Sequence, residues 1–162
     1  MMDKGEPIPD VTLADENGPV PLRSLVGGWA IVYFYPKDDT SGCTREAQDF
    51  TALASEFEAA GIQVVGVSRD SVASHGRFAT KYDLRTRLLS DESGAASDAF
   101  GVWVEKSMYG RKYMGLERST FLFDAQGLLV QSWRKVKVPG HAQAVLAAAK
   151  TGGEAGPARP LR

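Results

Sequence analysis

Cysteine is nearly missing from this sequence: its 162 residues contain one, Cys43. A single cysteine forms no internal disulfide, which excludes a disulfide-stapled secreted fold. With only two histidines, His75 and His141, there is no structural zinc set either, and no metal or cofactor is expected. A surplus of charge of one sign is missing too. Nineteen Lys and Arg stand against twenty Asp and Glu, for a net charge of −1, and no basic block stands out, so the electrostatic footprint of a nucleic-acid partner is absent. Long apolar runs are missing as well. The start, Met1-Met2-Asp3-Lys4-Gly5-Glu6-Pro7, has no apolar h-region and no stretch has the length of a membrane span, so a cytoplasmic protein with no membrane partner is expected.

What is present is enough apolar residue, 43% against 24% charged, for one globular domain with an ordinary core. We read residues 1–150 as that single domain. The tail 151–162, with Gly152-Gly153, Pro157 and Pro160, reads as disordered.

The chain is organised around Pro36-Lys37-Asp38-Asp39-Thr40-Ser41-Gly42-Cys43. This stretch joins the apolar run Ala30-Ile31-Val32-Tyr33-Phe34-Tyr35, a buried strand closed by a proline, to a helix beginning near Cys43. From Cys43 onward Ala47, Phe50, Ala54 and Phe57 recur at helical spacing, so Cys43 sits in the first turn on the inward face of an amphipathic helix. The unpaired N–H groups and positive dipole end there favour a thiolate, a nucleophile near neutral pH. A lone cysteine is otherwise a small buried hydrophobe.

Before this stretch, Val11-Thr12-Leu13 among Pro7, Pro9, Asn17-Gly18, Pro19 and Pro21 reads as a small hairpin or edge segment, or as coil covering a sheet. After it, the helix from Cys43 is expected to reach about Ala60, with Gly61 as its C′ residue. Ile62 to Ser68 then reads as a central strand, and Asp70-Ser71 can cap a helix over Val72–Tyr82. A short strand near Arg87–Leu89 and a weaker helix at Ala95–Phe100 follow. Trp103, Tyr109 and Tyr113 lie in a Gly-containing, poorly periodic segment read as an exposed loop near the site or, more safely, as core or rim packing. Ser119–Phe123 and Leu128–Trp133 form two strands around Asp124-Ala125-Gln126-Gly127, with Gly127 at positive φ, and His141–Lys150 is a short amphipathic helix. Together these describe an α/β protein with a central mixed sheet flanked by helices.

Pro36, Thr40 and Cys43, in the pattern Pro-x-x-x-Thr-x-x-Cys after a buried strand, closely resemble the active-site loop of the peroxiredoxins. The fuller string Phe34 to Thr40, with Gly42-Cys43-Thr44, is similar to the peroxiredoxin Q branch, also called bacterioferritin comigratory protein. Further blocks resemble the same family over roughly residues 5–150: Ser68-Arg69-Asp70-Ser71, Leu88-Leu89-Ser90-Asp91, Phe100-Gly101-Val102-Trp103, Arg118 to Asp124, and Gly140-His141. The resemblance implies a thioredoxin-like fold and a thiol-dependent peroxidase. Such an enzyme reduces hydrogen peroxide and organic hydroperoxides through a Cys43 sulfenic acid. It implies that Thr40 orients thiolate and peroxide, that Pro36 shields the sulfur, that the Cys43 backbone N–H donates to the peroxide, and that Arg118 stabilises charge. Glu46, three residues after Cys43, faces the same side of the first turn and is expected to orient Arg118 through a bidentate pair; a carboxylate favoured by the helix dipole is its plainer reading.

The family pattern is broken at one place. Many peroxiredoxin Q proteins carry a resolving cysteine five residues after the first, and here that position is Gln48. A 1-Cys cycle follows, completed by an external thiol: a small thiol, a thioredoxin-type protein or Cys43 of another subunit. A monomer or weak dimer is expected. The alternative is a redox sensor that uses the same oxidisable Cys43 to signal to a partner. A thiol–disulfide oxidoreductase is disfavoured because a Cys-x-x-Cys pair is missing.

Overall fold

In a computed structural model, residues 2–152 are described. The proposed tail therefore lies outside the described residues from 153 onward.

The run expected as a buried strand is β3 (Trp29–Phe34). It reads as continuously apolar because both of its faces are covered: Ala30, Val32 and Phe34 enter one core cluster, and Ile31 and Tyr33 the other. Its parallel neighbour is β4 (Ile62–Ser68), which in turn pairs in parallel with β5 (Arg87–Ser90). On its other side lies β8 (Ser119–Phe123), antiparallel and followed by β9 (Leu129–Trp133). The turn between these two carries Gly127 at φ 78°, a conformation glycine adopts without steric cost. At the far edge, β1 (Thr12–Asp15) and β2 (Gly18–Pro21) form a hairpin joined antiparallel to β5, so the N-terminal segment is a hairpin and not a coil. The sheet order β2-β1-β5-β4-β3-β8-β9 is mixed, as expected.

Helices α1 (Ser41–Ala52), α2 (Ala54–Ala59), α3 (Val72–Tyr82) and α5 (His141–Lys150) place Ala47, Phe50, Phe57, Phe78 and Val145 in the cluster that also holds Cys43. The short α4 (Ala95–Ala99) contributes Ala96 to the opposite cluster, beside Phe100 and Phe121. Ser71 caps α3 by accepting from Ser74 N, as its sequence position predicts.

Two expectations need correction. The single helix from Cys43 to Ala60 is two helices, broken at Leu53, where φ is −100° and ψ 6°. The end of α1 is tied across the chain, with Thr51 Oγ1 accepting from Arg85 N at 3.1 Å, while α2 packs on β4; helical periodicity does not register such a tie. The second concerns residues 103–116. They are a two-stranded hairpin, β6 (Trp103–Met108) and β7 (Arg111–Leu116), separate from the main sheet. Its turn residues Tyr109 and Gly110 both have positive φ, the geometry of a two-residue hairpin connection, and with most side chains facing outward there is no buried face to impose period-two alternation. No helix among the described residues is long and apolar enough to cross a membrane.

Candidate active site

Helix α1 starts at Ser41, two residues earlier than the periodicity indicates, so Cys43 is its third residue. Thr40 precedes it with extended geometry (φ −93°, ψ 156°), and the first intrahelical bond runs from Thr44 N to Thr40 O at 2.8 Å. The N–H groups of Ser41, Gly42 and Cys43 come before that bond, the position in which helix N–H groups face outward to accept an external partner. Cys43 itself is only 2% exposed.

Arg118 arrives by strand register. β3 and β8 are antiparallel with Phe34 opposite Ser119, so the residue just before β8 meets the residue just after β3. The guanidinium reaches across the loop entry, and Arg118 Nη2 stands 3.4 Å from Cys43 Sγ. Gly42 leaves room for the close approach: a Cβ there would lie 3.1 Å from Arg118 Nη2 and crowd it. On its other edge, Arg118 Nη1 donates to Glu46 Oε1 at 2.6 Å. The pair is not bidentate. Glu46 Oε2 is buried and has no hydrogen-bond partner, because the guanidinium presents its second nitrogen to the sulfur instead. With one oxygen unpaired and the side chain 1% exposed, burial raises the Glu46 carboxyl to about 7 against the attraction of Arg118.

The remaining expected residues are less closely gathered. Thr40 is exposed and its hydroxyl donates to Lys37 O at 2.9 Å; no bond joins it to Cys43. Pro36 lies at the surface at the start of the loop, and Gln48 is exposed on α1.

Three groups around the site have partners that no motif indicates. His141, the first residue of α5, is buried behind Arg118, with Nε2 2.8 Å from Thr120 Oγ1 and its ring edge-on to Phe50 and Trp133. Burial, with the charge of Arg118 added, pulls its pKa down to about 4, so it is neutral near pH 7 and no second positive charge faces Arg118. Glu117, beside Arg118, pairs with Arg134, which also donates to Gly101 O at 3.0 Å. Finally, Asp38 of the loop is buried against His75 of α3, Nδ1 to Oδ2 2.7 Å. Its signal was in the sequence: Val72, His75, Phe78 and Ala79 share one helical face, which places the histidine inward. Among the described residues no group of three or more His, Cys, Asp or Glu is placed to hold a metal ion.

With this geometry established, comparison with known proteins narrows its meaning. A family model described as the AhpC/TSA family matches residues 4–132. Peroxiredoxin Bcp of Xanthomonas campestris is 55% identical over 129 residues, which is 80% of this chain and 81% of that protein. The solved bacterioferritin comigratory protein of Xanthomonas campestris, described for its alkyl peroxide reduction activity, superposes with a TM-score of 0.86 at 48% identity. The match covers 94% of this chain and 100% of that one. Peroxiredoxin Q of the same organism, solved with either of two cysteines replaced by serine, matches at 49% and 47% identity, with a TM-score of 0.86 in both cases. These cover 93% and 94% of this chain and 99% and 100% of those chains. The thioredoxin-like expectation for the fold thus holds, and the chain belongs to the AhpC/TSA family as a thiol-dependent peroxiredoxin of the Bcp, or peroxiredoxin Q, kind.

Proposed function

We propose that this chain reduces hydrogen peroxide and organic hydroperoxides by attack of Cys43 and completes each cycle with thiols from outside the chain. The observation that carries the reading is the Arg118 guanidinium at 3.4 Å from the Cys43 sulfur, at the mouth of a helix N-terminus.

In the first step the Cys43 thiolate attacks one peroxide oxygen and the O–O bond breaks. The second oxygen leaves with the bonding electron pair and takes up a proton as water or an alcohol, and Cys43 becomes sulfenic acid. Negative charge moves from sulfur to the departing oxygen along this path. Arg118 is a fixed cation beside its start, and the first-turn N–H groups, that of Cys43 among them, are preorganised donors for its end. Thr40 donates to Lys37 O, which leaves its lone pairs to accept the peroxide O–H. Pro36, exposed at the loop entry, takes the shielding role that the family resemblance gives it. Glu46 orients Arg118 through its single bond.

In the second step one external thiol condenses with the sulfenic acid, releasing water and forming a mixed disulfide. A second thiol displaces Cys43 from it and leaves as a disulfide. This 1-Cys cycle is supported by composition, since the chain holds one cysteine and Gln48 occupies the position after Cys43 where a resolving cysteine is common. A thioredoxin-type protein or a small thiol fits as reductant. A single unpaired, buried thiol fits a reducing, cytoplasmic compartment, with the protein acting as a monomer or weak dimer, which sedimentation at micromolar concentration checks.

The test is turnover. Hydrogen peroxide and an alkyl hydroperoxide should disappear catalytically with dithiothreitol or thioredoxin. Without thiol, Cys43 should gain one oxygen atom by mass and react with dimedone. Consumption that stops after one equivalent per chain despite excess thiol would instead mark the protein as a redox sensor.

A further inference from the structure

The loop that carries the site does not hold itself in place. It leaves β3 after Phe34 and must enter α1 at Ser41, and within it Asp39 sits at φ 59°, a left-handed conformation unfavourable for a residue with a Cβ. Its ties run outward, to α3 and the turn before it. Asp39 accepts from Lys81 Nζ at 2.7 Å and Tyr82 OH at 2.5 Å, both near the surface and of modest worth there. The strong tie is one residue earlier. The Asp38 side chain is 4% exposed, yet both oxygens are partnered: Oδ1 accepts from Tyr35 OH at 2.6 Å, and Oδ2 accepts from Ser74 Oγ at 2.8 Å and from His75 Nδ1 at 2.7 Å. Its backbone N–H donates to Asp70 Oδ2 at 2.8 Å. The His75 ring is aligned from behind, with Nε2 3.1 Å from Leu89 O on β5. The Leu89 carbonyl and the Asp38 carboxylate can both only accept, so each ring nitrogen carries a hydrogen and donates, Nε2 to Leu89 O and Nδ1 to Asp38 Oδ2.

We propose that His75 is a positioning residue for the peroxide-reducing step. Held by β5 and bonded to Asp38, it fixes residues 36–40 on α3, and thereby sets Cys43 at the start of α1 against Arg118. The inference rests on the reading of Cys43 as the attacking nucleophile. The line of contacts from the Leu89 carbonyl through His75 and Asp38 ends at the loop, and the loop's next fixed point is the α1 N-terminus. The sulfur–guanidinium distance is set by the placing of the α1 N-terminus against the residue that enters β8. A displacement of about 1 Å between reacting groups is enough to cost orders of magnitude in rate.

Two amide variants separate this role from simple packing. In His75→Asn the amide nitrogen overlays Nδ1 and still donates to Asp38; in His75→Gln it overlays Nε2 and still donates to Leu89 O. Each loses one of the two bonds, so both lose thermal stability. The second-order rate of Cys43 oxidation by hydrogen peroxide should fall by about tenfold or more in H75Q, and H75N should recover most of that loss. Equal rates in the two variants, or losses that only follow the fraction unfolded, would overturn the proposal. Should H75Q fail to fold, Tyr35→Phe and Ser74→Ala each remove one hydroxyl donor from Asp38. Both are expected to slow oxidation severalfold, and wild-type rates in both would overturn the proposal. A wild-type chain whose Cys43 is not oxidised by hydrogen peroxide removes the underlying reading of Cys43, whereas H75Q matching H75N beside a wild type that is oxidised removes only the role of His75.

Discussion

Two buried carboxylates lie within eight residues of each other on either side of the α1 N-terminus, and their surroundings are opposite. Asp38 has both oxygens engaged, by Tyr35, Ser74 and His75. Burial pushes its carboxyl up, but the bonds from His75 and Tyr35 outweigh this and hold it below the usual carboxylate range. Glu46 has one oxygen on Arg118 and the other without a partner, and burial carries it up to about 7. Around Glu46 a single guanidinium serves two acidic groups, Glu46 and Cys43. A fully satisfied cluster is rigid and suited to holding a backbone in place. An under-satisfied one keeps a charge available for chemistry, at a cost in stability. The molecule uses the first to aim the second.

Replacing Cys43 by Ser should abolish peroxide turnover while leaving both clusters and the circular dichroism spectrum intact, since the side chain is similar in size; residual catalysis in the variant would move the nucleophile elsewhere. Arg118→Lys comes next. Lysine brings the charge but cannot span sulfur and carboxylate with two planar nitrogens, and the rate of Cys43 oxidation should fall by about 10²–10³-fold, the loss typical of a preorganised donor. Stopped-flow oxidation against peroxide concentration measures it.

The pH dependence of stability gives the comparison opposite signs. Glu46 has a folded pKa of about 7 against 4.5 unfolded, so between these values the folded state keeps a proton that the unfolded state has released. Stability therefore falls as pH rises through that window, by about 3 kcal/mol in all. Glu46→Gln should flatten this slope in urea titrations at a series of pH values. Asp38 acts the other way: its contribution is present above the unfolded carboxylate value and lost as pH falls through its lowered folded value, and Asp38→Asn should remove that acid-side loss. Identical pH profiles for the two variants would mean that the clusters do not differ as described. The smallest effect is expected at Gly42. Alanine there raises helix propensity by up to about 1 kcal/mol, but its Cβ, at 3.1 Å, crowds Arg118 Nη2. The melting temperature should hold or rise while the oxidation rate drops severalfold.

Much of the fold was legible from the chain alone. β3 is apolar throughout because both faces are buried, α3 starts where Ser71 can cap it, and the β8–β9 turn carries glycine where positive φ is required. The β6–β7 hairpin was not legible, because its exposed side chains carry no two-residue alternation. Nor was the break at Leu53, which follows a contact between Thr51 and Arg85 and not a local breaker. For the site, Cys43 was identified by its loop, whereas the single Arg118–Glu46 bond, in place of an expected bidentate pair, depends on where the sulfur sits.

The sequence by itself determined the strand, the loop and the helix N-terminus that present Cys43, because propensity, capping and periodicity act between residues a few positions apart. It also determined, by holding one cysteine, that no disulfide can form within the chain. Only the tertiary structure decided that Arg118 reaches the sulfur and that His75 grips the loop. Those contacts span 75 and 37 residues, and they exist because β8 pairs antiparallel with β3 in one register and α3 packs its buried face beneath Asp38.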